Sequence, residues 1–271
     1  MTILLTGATG LVGTRLLPRL LAAGHTCRAI VRGGKSAPEG AEAVAADLFD
    51  SASLAAALDG VSAAIHLAAV FRTPDEALIW KSNLDGARSL IAAVEAHAPT
   101  ARIILASTSH VYGRDQARPG REDDPVAPTQ AYPASKVAAE QALRDSRLTW
   151  AVLRFPFVYG DGDGHLAALP GHAAQLDFHP AMRMSTIHHR DIATAMALAL
   201  AGRFDGRAVN IADDLPASML ELVALGGGRL EPSGDPLPAP WAMQVDTALA
   251  RSLGFQPTVR TVFQAAEGQI L

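Results

Sequence analysis

The stretch ILLTGATGLVG at residues 3–13 constrains the fold more than any other part of the chain. It joins an apolar segment directly to a helical pattern through glycines at a fixed spacing. Glycines at a strand–helix junction allow a sharp turn, and they let backbone N–H groups approach a pyrophosphate at the helix N-terminus, where the dipole favours negative charge. This context predicts a dinucleotide-binding turn, with a tight turn that holds no ligand as the alternative. The candidate ligand-binding residues here are Gly7, Gly10, Leu11, Val12 and Gly13.

Short apolar segments alternate with longer helical patterns along the first two thirds of the chain. Several of the segments are apolar at consecutive positions, which is typical of strands covered on both faces of a parallel sheet. The sequence therefore predicts an α/β fold with a doubly wound parallel sheet, a Rossmann fold. The predicted strands are Ile3–Thr6, Thr26–Val31, Ala43–Ala46, Ala63–Leu67, Arg102–Ala106, Thr149–Arg154 and Ala208–Ile211. The predicted helices are Val12–Ala23, Ala52–Leu58, Ala77–His97, Ser135–Asp145, Asp191–Ala201 and a short helix near Asp246–Leu253.

The regular alternation ends near residue 155. Residues 160–185 contain GDGDGH, prolines and scattered histidines, a composition that predicts a loop. We therefore expect a dinucleotide-binding domain over residues 1–155. Residues 156–271 are expected to form a small C-terminal substrate lobe, interleaved with the last strand and helices of the main domain.

Composition limits the classes of partner. The chain carries 23 Lys+Arg against 27 Asp+Glu, spread along its length, which gives no basic patch for nucleic acid or an anionic membrane. No segment approaches the ~18 consecutive apolar residues that a membrane span requires. The N-terminal apolar residues run straight into the glycine turn and not into a cleavage site, so they predict a strand instead of a signal peptide. We expect a cytoplasmic protein with a small-molecule substrate.

The end of the second predicted strand indicates which dinucleotide is preferred. A carboxylate at this point accepts from the adenosine ribose of NAD, whereas AIVRGGKSA has Arg32 there and Lys35 close by. A guanidinium suits a 2′-phosphate. The sequence therefore predicts NADP as cofactor, with NAD as the alternative.

AYPASK places Tyr132 and Lys136 four residues apart, on one helix face, with Pro133 suited to the first helical position. An ammonium close to a phenol favours the phenolate and lowers the pKa of the tyrosine, which could then exchange a proton with a carbonyl or alcohol. Alone, such a pair more often lies on the protein surface and has no catalytic role. However, ILASTSHVYG ends a buried strand in the hydroxyls of residues 107–109, and ligands bind at the carboxyl ends of such strands.

These motifs resemble the extended short-chain dehydrogenases/reductases, also called the NAD-dependent epimerase/dehydratase family. The resemblance covers most of the chain, through TGATGLVG, ADL, HLAA, NLDG, STSHVYG, YPASK, LRFPFVYG, IHHRDIA and VDTALARSLGF. It implies Tyr132 as the general acid/base, Thr108 as the catalytic hydroxyl (with Ser107 and Ser109 as the alternatives) and Lys136 as the group that also binds the nicotinamide ribose. The further cofactor-binding residues that it implies are Asp47, Leu48, Leu67, Ala68, Ala69, Asn83, Pro156 and Val158. Relatives often dimerise through the helices at 77–97 and 135–145, so a homodimer is also implied.

Two departures from the family pattern bear on the substrate. Phe157 stands where nucleotide-sugar enzymes commonly carry an asparagine that helps to hold the diphosphate, and Arg183 in MRMSTIHH is out of register with their usual basic residue. We therefore predict an oxidoreductase that interconverts a carbonyl and an alcohol by hydride transfer. A nucleotide-sugar epimerase or dehydratase with retained cofactor is the alternative. A non-catalytic dinucleotide sensor is disfavoured because the tyrosine and lysine are present.

The late histidines have no metal-ligand spacing, so no metal site is predicted. They are interpreted as solvated loop residues, with His188 as a candidate for the substrate pocket. They are His165, His172, His179, His188 and His189.

Overall fold

A central parallel sheet organises the computed structural model, which describes residues 1–31, 36–176 and 178–271. The strands are β1 (Thr2–Thr6), β2 (Thr26–Val31), β3 (Glu42–Ala45), β4 (Ala63–His66), β5 (Arg102–Thr108), β6 (Thr149–Phe155), β7 (Phe157–Tyr159), β8 (Arg183–Met184), β9 (Thr186–His188), β10 (Arg207–Asn210) and β11 (Ala217–Ser218). Seven of them form the main sheet in the order β10-β6-β5-β4-β1-β2-β3. Every pairing in this sheet is parallel. The predicted doubly wound α/β fold is confirmed, and its strand order reverses between β1 and β4.

Helices cover both faces of the sheet. They are α1 (Leu11–Ala22), α2 (Ser51–Ala57), α3 (Glu76–Trp80), α4 (Gly86–His97), α5 (Ala131–Arg144), α6 (His165–Leu176), α7 (His189–Leu200), α8 (Met219–Leu225), α9 (Ala248–Ser252) and α10 (Val262–Glu267). Leucines of α1 and apolar residues of α7 pack on one face. The apolar sides of α2, α4 and α5 pack on the other. Both faces of the strands are therefore buried, which is why their apolar residues are consecutive.

Two helices differ from their predicted bounds by more than two residues. The segment predicted as one helix over residues 77–97 is α3 and α4 joined by a π-helical turn at Lys81–Asp85. A π turn adds a residue to one turn without changing the apolar character of its neighbours, so the apolar pattern does not reveal it. Helix α5 begins at Ala131, with Gln130 as its N-cap, and Pro133 lies within its first turn. Proline costs no hydrogen bond there, because the first-turn N–H groups have no intrahelical acceptor.

The prediction of a loop over residues 160–185 is wrong for the part that forms α6. Pro170 and Gly171 lie inside this helix, and their presence favours a loop in a sequence-based reading. Pro170 cannot bond the carbonyl of Leu166, and that carbonyl lies against Gly226, where a Cβ would sit only 2.4 Å from the oxygen. Packing of α6 on the chain beyond α8 therefore stabilises a helix that local propensity disfavours.

The remaining strands form two small sheets beside the carboxyl edge of the main sheet. Strands β7 and β9 pair in parallel, and β8 and β11 pair antiparallel. Residues from α6, α8 and α10 share a separate apolar cluster with these strands. Strand β10 pairs with β6 at the edge of the main sheet, and helix α7 packs on one face of that sheet. In the described parts of the chain, no helix has the length and apolarity needed to cross a membrane.

Candidate active site

The glycine turn lies where the strand order reverses, between the end of β1 and the start of α1. The backbone N–H of Gly10 donates to the carbonyl of Gly7 at 3.0 Å, which closes the turn. A Cβ on Gly13 would lie 2.2 Å from the Gly7 carbonyl oxygen and 2.6 Å from the Ala8 Cα. Only glycine fits at position 13, so the turn is built for the close backbone approach that a pyrophosphate needs.

A cavity of about 290 Å³ opens beside this turn, along the carboxyl ends of β1, β2 and β4. Several predicted cofactor residues line it: Gly7, Gly10, Asp47, Leu48, Leu67, Ala68 and Ala69. Sequence reasoning missed Thr9, Ile30, Phe49, Val70 and Ser82, which also line it. Their signal is weak, because neither a buried strand residue such as Ile30 nor a loop residue such as Thr9 carries a motif that marks a ligand contact. The described lining fits the adenosine half of a dinucleotide.

Asn83 does not line the cavity, but its side chain hydrogen-bonds a residue of the cavity wall. Its amide accepts from the Val70 N–H at 2.8 Å and donates to the Val70 carbonyl at 2.9 Å. It also donates to the Ser135 hydroxyl at 3.0 Å, and this hydroxyl donates to the Tyr132 carbonyl at 2.7 Å. The side chain is fully buried. Asn83 therefore ties the loop after β4 to the first turn of α5.

We expect Gly13→Ala to abolish dinucleotide binding, because the new Cβ meets backbone atoms that cannot move without opening the turn. Gly234→Ala is the matched control: a Cβ there has no heavy atom within 4 Å, and Gly234 does not line the cavity. Fluorescence titration with NADPH and thermal unfolding of both variants measure this difference. Equal cofactor affinity in the Gly13→Ala variant and the wild type would contradict the role given to the turn.

A second cavity of about 650 Å³ adjoins the first, and the two share Gly7, Gly10, Leu67 and Ala69 in their walls. The remaining predicted residues of the turn, Leu11, Val12 and Gly13, line it, together with Pro156 and Val158 after β6. Thr108, Tyr132 and Lys136 line it as well. The structure thus brings the predicted hydroxyl, phenol and ammonium together at the carboxyl end of β5.

The three candidate hydroxyls at the end of β5 have different partners. Thr108 lies close enough to the Tyr132 phenol to lower its pKa, and the Thr108 oxygen accepts from the His110 N–H at 3.2 Å. The Ser107 hydroxyl instead donates to Glu140 at 2.5 Å, beneath α5. Ser109 is buried in the turn that follows and is not among the cavity residues. Thr108 is the hydroxyl that contacts Tyr132.

The environment of the pair corrects one expectation. Desolvation raises the pKa of Tyr132 to about 12, and the hydrogen bond with Thr108 offsets part of this rise. Burial lowers the pKa of Lys136 to about 8, and the charge of Glu140 opposes that decrease. The expected lowering of the Tyr132 pKa by Lys136 is therefore not what the structure shows, because desolvation dominates. Near neutral pH the phenol is protonated and the ammonium is charged.

Helix α6 and the small sheets form the far wall of the second cavity. Its described apolar residues include Phe157, Leu169, Phe178, Met184 and Met243. Phe157 stacks on the His165 ring, with centroids 4.6 Å apart. Met184 lines the cavity, whereas its neighbour Arg183 is exposed, and the charge of Arg183 acts on Glu221. Alternation along β8 thus turns the arginine away from the site.

The late histidines do not behave as predicted. His188 and His189 are buried, not solvated. The His188 ring bonds the Ile270 carbonyl at 2.9 Å, and the His189 ring bonds the Asp163 carboxylate at 2.9 Å. Of these five late histidines, His165 and His172, and not His188, line the cavity. Among the residues the structure describes, no group of three or more His, Cys, Asp or Glu side chains could hold a metal ion.

Arg32 and Lys35, the residues behind the predicted preference for NADP, lie outside the described residues.

A parallel sheet with a glycine turn at its reversal point, and a Tyr/Lys pair facing the same cleft, defines a dinucleotide-dependent class of α/β enzymes. Residues 3–212 match the NAD dependent epimerase/dehydratase family. The chain belongs to this family and is an enzyme of the short-chain dehydrogenase/reductase superfamily, as its motifs predicted.

Three known proteins show what this chain is similar to. It is 31% identical to the dTDP-6-deoxy-L-talose 4-dehydrogenase (NAD(P)(+)) of Kitasatospora kifunensis, over 96% of this chain and 91% of the relative. It is 28% identical to a 3 beta-hydroxysteroid dehydrogenase/Delta 5-->4-isomerase of Mycobacterium tuberculosis, over 81% of this chain and 66% of that protein. The fold is similar to that of the Bordetella bronchiseptica enzyme WbmG, solved in complex with NAD, with a TM-score of 0.80 and 24% identity over 99% of this chain and 92% of that one.

Proposed function

We propose that the protein is an NADP(H)-dependent oxidoreductase that interconverts a carbonyl and an alcohol on a compact, largely apolar substrate. The observation that carries this proposal is the second cavity, in which Thr108, Tyr132 and Lys136 face a wall of aromatic residues and methionines. A mostly apolar pocket with a few convergent polar groups is typical of a small-molecule site. The proposal also draws on the family, whose members include the dehydrogenases described above.

The residues around the glycine turn fit a dinucleotide. The glycine turn around Gly13 would hold the pyrophosphate. The first cavity would hold the adenosine between Asp47, Leu48 and the carboxyl ends of the strands. Lys136 would bond the nicotinamide ribose, with Pro156 and Val158 beside the nicotinamide. When bound, the nicotinamide supplies or accepts the hydride at the substrate carbon.

Three side chains of this chain would handle the substrate oxygen. In the reductive direction, the neutral phenol of Tyr132 donates its proton to the carbonyl oxygen as that oxygen gains negative charge. Thr108 donates a hydrogen bond that orients the same oxygen. The charged Lys136 stabilises the phenolate that remains. The high pKa of Tyr132 and the charge on Lys136 are the states that this direction requires.

Arg32 supports the choice of NADP over NAD, because no carboxylate occupies its part of the sequence. We expect the wild type to bind NADPH more tightly than NADH, and Arg32→Ala to narrow the gap by ~1–3 kcal/mol, the loss of a charge-assisted contact. Fluorescence titrations of both cofactors measure this. A wild-type preference for NADH would contradict it.

The second candidate is a reaction on a nucleotide sugar, either epimerisation with retained cofactor or oxidation at a sugar hydroxyl. It is favoured by the 31% identity to a dTDP-sugar dehydrogenase. Two features oppose it: Phe157 stands where nucleotide-sugar enzymes commonly carry an asparagine, and the side chain of Arg183 points away from the site. Arg72 is the one arginine among the described residues that line the cavity, and it lies at the exposed rim. Remote contacts to a nucleotide usually supply the binding energy that such enzymes use.

A substrate screen separates the two candidates. Purified protein is mixed with NADPH and, in turn, with apolar ketones, keto sugars and dTDP- or UDP-sugars, and nicotinamide absorbance and product composition are followed. The proposal predicts a steady fall in absorbance with an apolar ketone. Conversion of a nucleotide sugar without net cofactor consumption would replace it with the epimerase. The homodimer, the cytoplasmic location and the division of the chain near residue 155 stay predictions.

A further inference from the structure

A buried polar network lies directly behind the Tyr132/Lys136 pair. Glu140 follows Lys136 by one turn of α5, and its side chain is almost fully buried. One carboxylate oxygen accepts from the Ser107 hydroxyl at 2.5 Å and from Arg154 Nε at 3.1 Å. The other accepts from a terminal guanidinium nitrogen of Arg154 at 2.6 Å. Arg154 lies on β6 and is itself 1% exposed.

This network extends away from the site and is well anchored. Arg154 donates to the Tyr112 hydroxyl at 2.9 Å, and that hydroxyl donates to Asn210 at 2.7 Å. Sequence reasoning did not find it, although Glu140 shares the helix face of Tyr132 and Lys136 at the same spacing of four. Burying an ion pair this deeply costs desolvation free energy, and such a pair contributes little to the net stability of the fold. This pair is therefore expected to have a role other than stability.

The surroundings of Lys136 make Glu140 the carboxylate that acts on it. Glu140 also accepts from Arg144, one turn further along α5, at 3.3 Å. The other titratable groups on the elements around the lysine are Tyr132 on α5, His66 on β4, Arg102 on β5, Tyr112 and His110 after β5, Arg154 on β6, and Glu76, Lys81, Asp85, Arg88, Glu95 and His97 on α3, the π-helical turn and α4. His66 is neutral, because burial and the charge of Lys136 lower its pKa to about 3. Glu140 is the charge that opposes the loss of the Lys136 proton. Ser107, which holds Glu140, immediately precedes Thr108 on β5.

We propose that Glu140 is a positioning residue of the active site: its buried carboxylate, fixed by Ser107 and Arg154, keeps Lys136 protonated and aligned with Tyr132. The hydroxyl, phenol and ammonium that line the cavity are thereby supported by one shared carboxylate beneath α5. This inference rests on the proposed function, in which a charged Lys136 binds the nicotinamide ribose.

The test follows the affinity for NADPH across pH 6–10 by fluorescence and needs no substrate. In the wild type, affinity falls as pH rises through the pKa of Lys136, about 8. Removing a neighbouring negative charge lowers the pKa of an ammonium, so Glu140→Gln moves this midpoint to lower pH by about 1 unit. Lys136→Met should show no such midpoint. Its affinity-against-pH profile therefore shows how the titration of NADPH itself and of all other protein groups affects binding.

Two single variants separate charge from geometry. Ser107→Ala removes a partner of Glu140 without removing the charge, so its midpoint stays near that of the wild type. Glu95→Gln makes the same chemical change near the far end of α4, where the carboxylate accepts from the Arg147 N–H, and it leaves the midpoint unchanged. If Glu140→Gln does not fold, the double variant Glu140→Gln/Arg154→Met replaces the buried pair as a unit. A smaller acid shift is then expected, because loss of the Arg154 charge offsets part of the effect of losing the Glu140 charge.

The outcomes distinguish this inference from the function on which it rests. A folded Glu140→Gln or double variant with the wild-type midpoint overturns the inference, while a midpoint that disappears in Lys136→Met still supports the role of the lysine. A midpoint that persists in Lys136→Met overturns both. An acid shift in the Glu140 variants, absent from Glu95→Gln, supports the inference, and this readout needs no substrate.

Discussion

Replacing Tyr132 by phenylalanine is expected to lower turnover by about 10²–10⁴-fold, the range that general acid/base catalysis contributes. The variant loses the proton donor and the interaction of the phenol with Thr108. It keeps the ring, which lies 5.6 Å from the Phe71 ring, centroid to centroid. NADPH should therefore bind nearly as in the wild type. Steady-state kinetics and a fluorescence titration on the same preparation separate the two quantities.

Tyr159→Phe is the matched control for that experiment. Tyr159 is also buried, but it belongs to the apolar cluster of α6 and α8 and does not line the cavity. Removing its hydroxyl should leave turnover within a small factor of the wild type. Full activity in the Tyr132→Phe enzyme would remove Tyr132 from the mechanism, and an equal loss in both variants would show a structural effect instead of a catalytic one.

The second large effect is expected for Lys136→Met, which should damage turnover and cofactor affinity together. Methionine fills a similar volume but cannot stabilise the phenolate or bond the ribose. Loss of a hydrogen bond to a charged group costs about 1.5–3 kcal/mol, so the Kd for NADPH should rise roughly ten- to a hundredfold. The lysine is buried with a pKa lowered to about 8, so its removal also relieves a desolvation cost, and the thermal midpoint should not fall.

Titration and calorimetry of the Lys136→Met enzyme check this prediction. Unchanged NADPH affinity with reduced turnover would leave the lysine only its effect on Tyr132. Unchanged turnover at saturating NADPH would contradict its effect on Tyr132, and unchanged turnover together with unchanged affinity would contradict both roles.

The sheet and the glycine turn could be predicted because their causes are local. Strands buried on both faces must be apolar at consecutive positions, and the backbone approach at Gly13 admits no side chain. Tyr132 and Lys136 could be paired for the same reason, since a spacing of four on a helix fixes their common face.

Other features depend on contacts between distant parts of the chain. Helix α6 is stabilised by packing of Pro170 and the Leu166 carbonyl against the chain beyond α8, which no local pattern shows. The direction of Arg183 follows from the pairing of β8 with β11. The pKa of Tyr132 depends on how deeply the phenol is desolvated, and a spacing of four residues does not contain that information.

Net hydride transfer at the Tyr132 site, the reaction proposed above, can be followed with an isotopic label on the cofactor. NADPH carrying deuterium at nicotinamide C4, prepared in each stereochemical form, is incubated with the enzyme and a ketone found by the screen, and the product is analysed by mass spectrometry. We predict that one form places deuterium on the carbinol carbon in proportion to the NADPH oxidised, and that Tyr132→Phe slows this transfer while Tyr159→Phe does not. A nucleotide sugar that is converted with no deuterium in the product and no NADPH oxidised would contradict the claim.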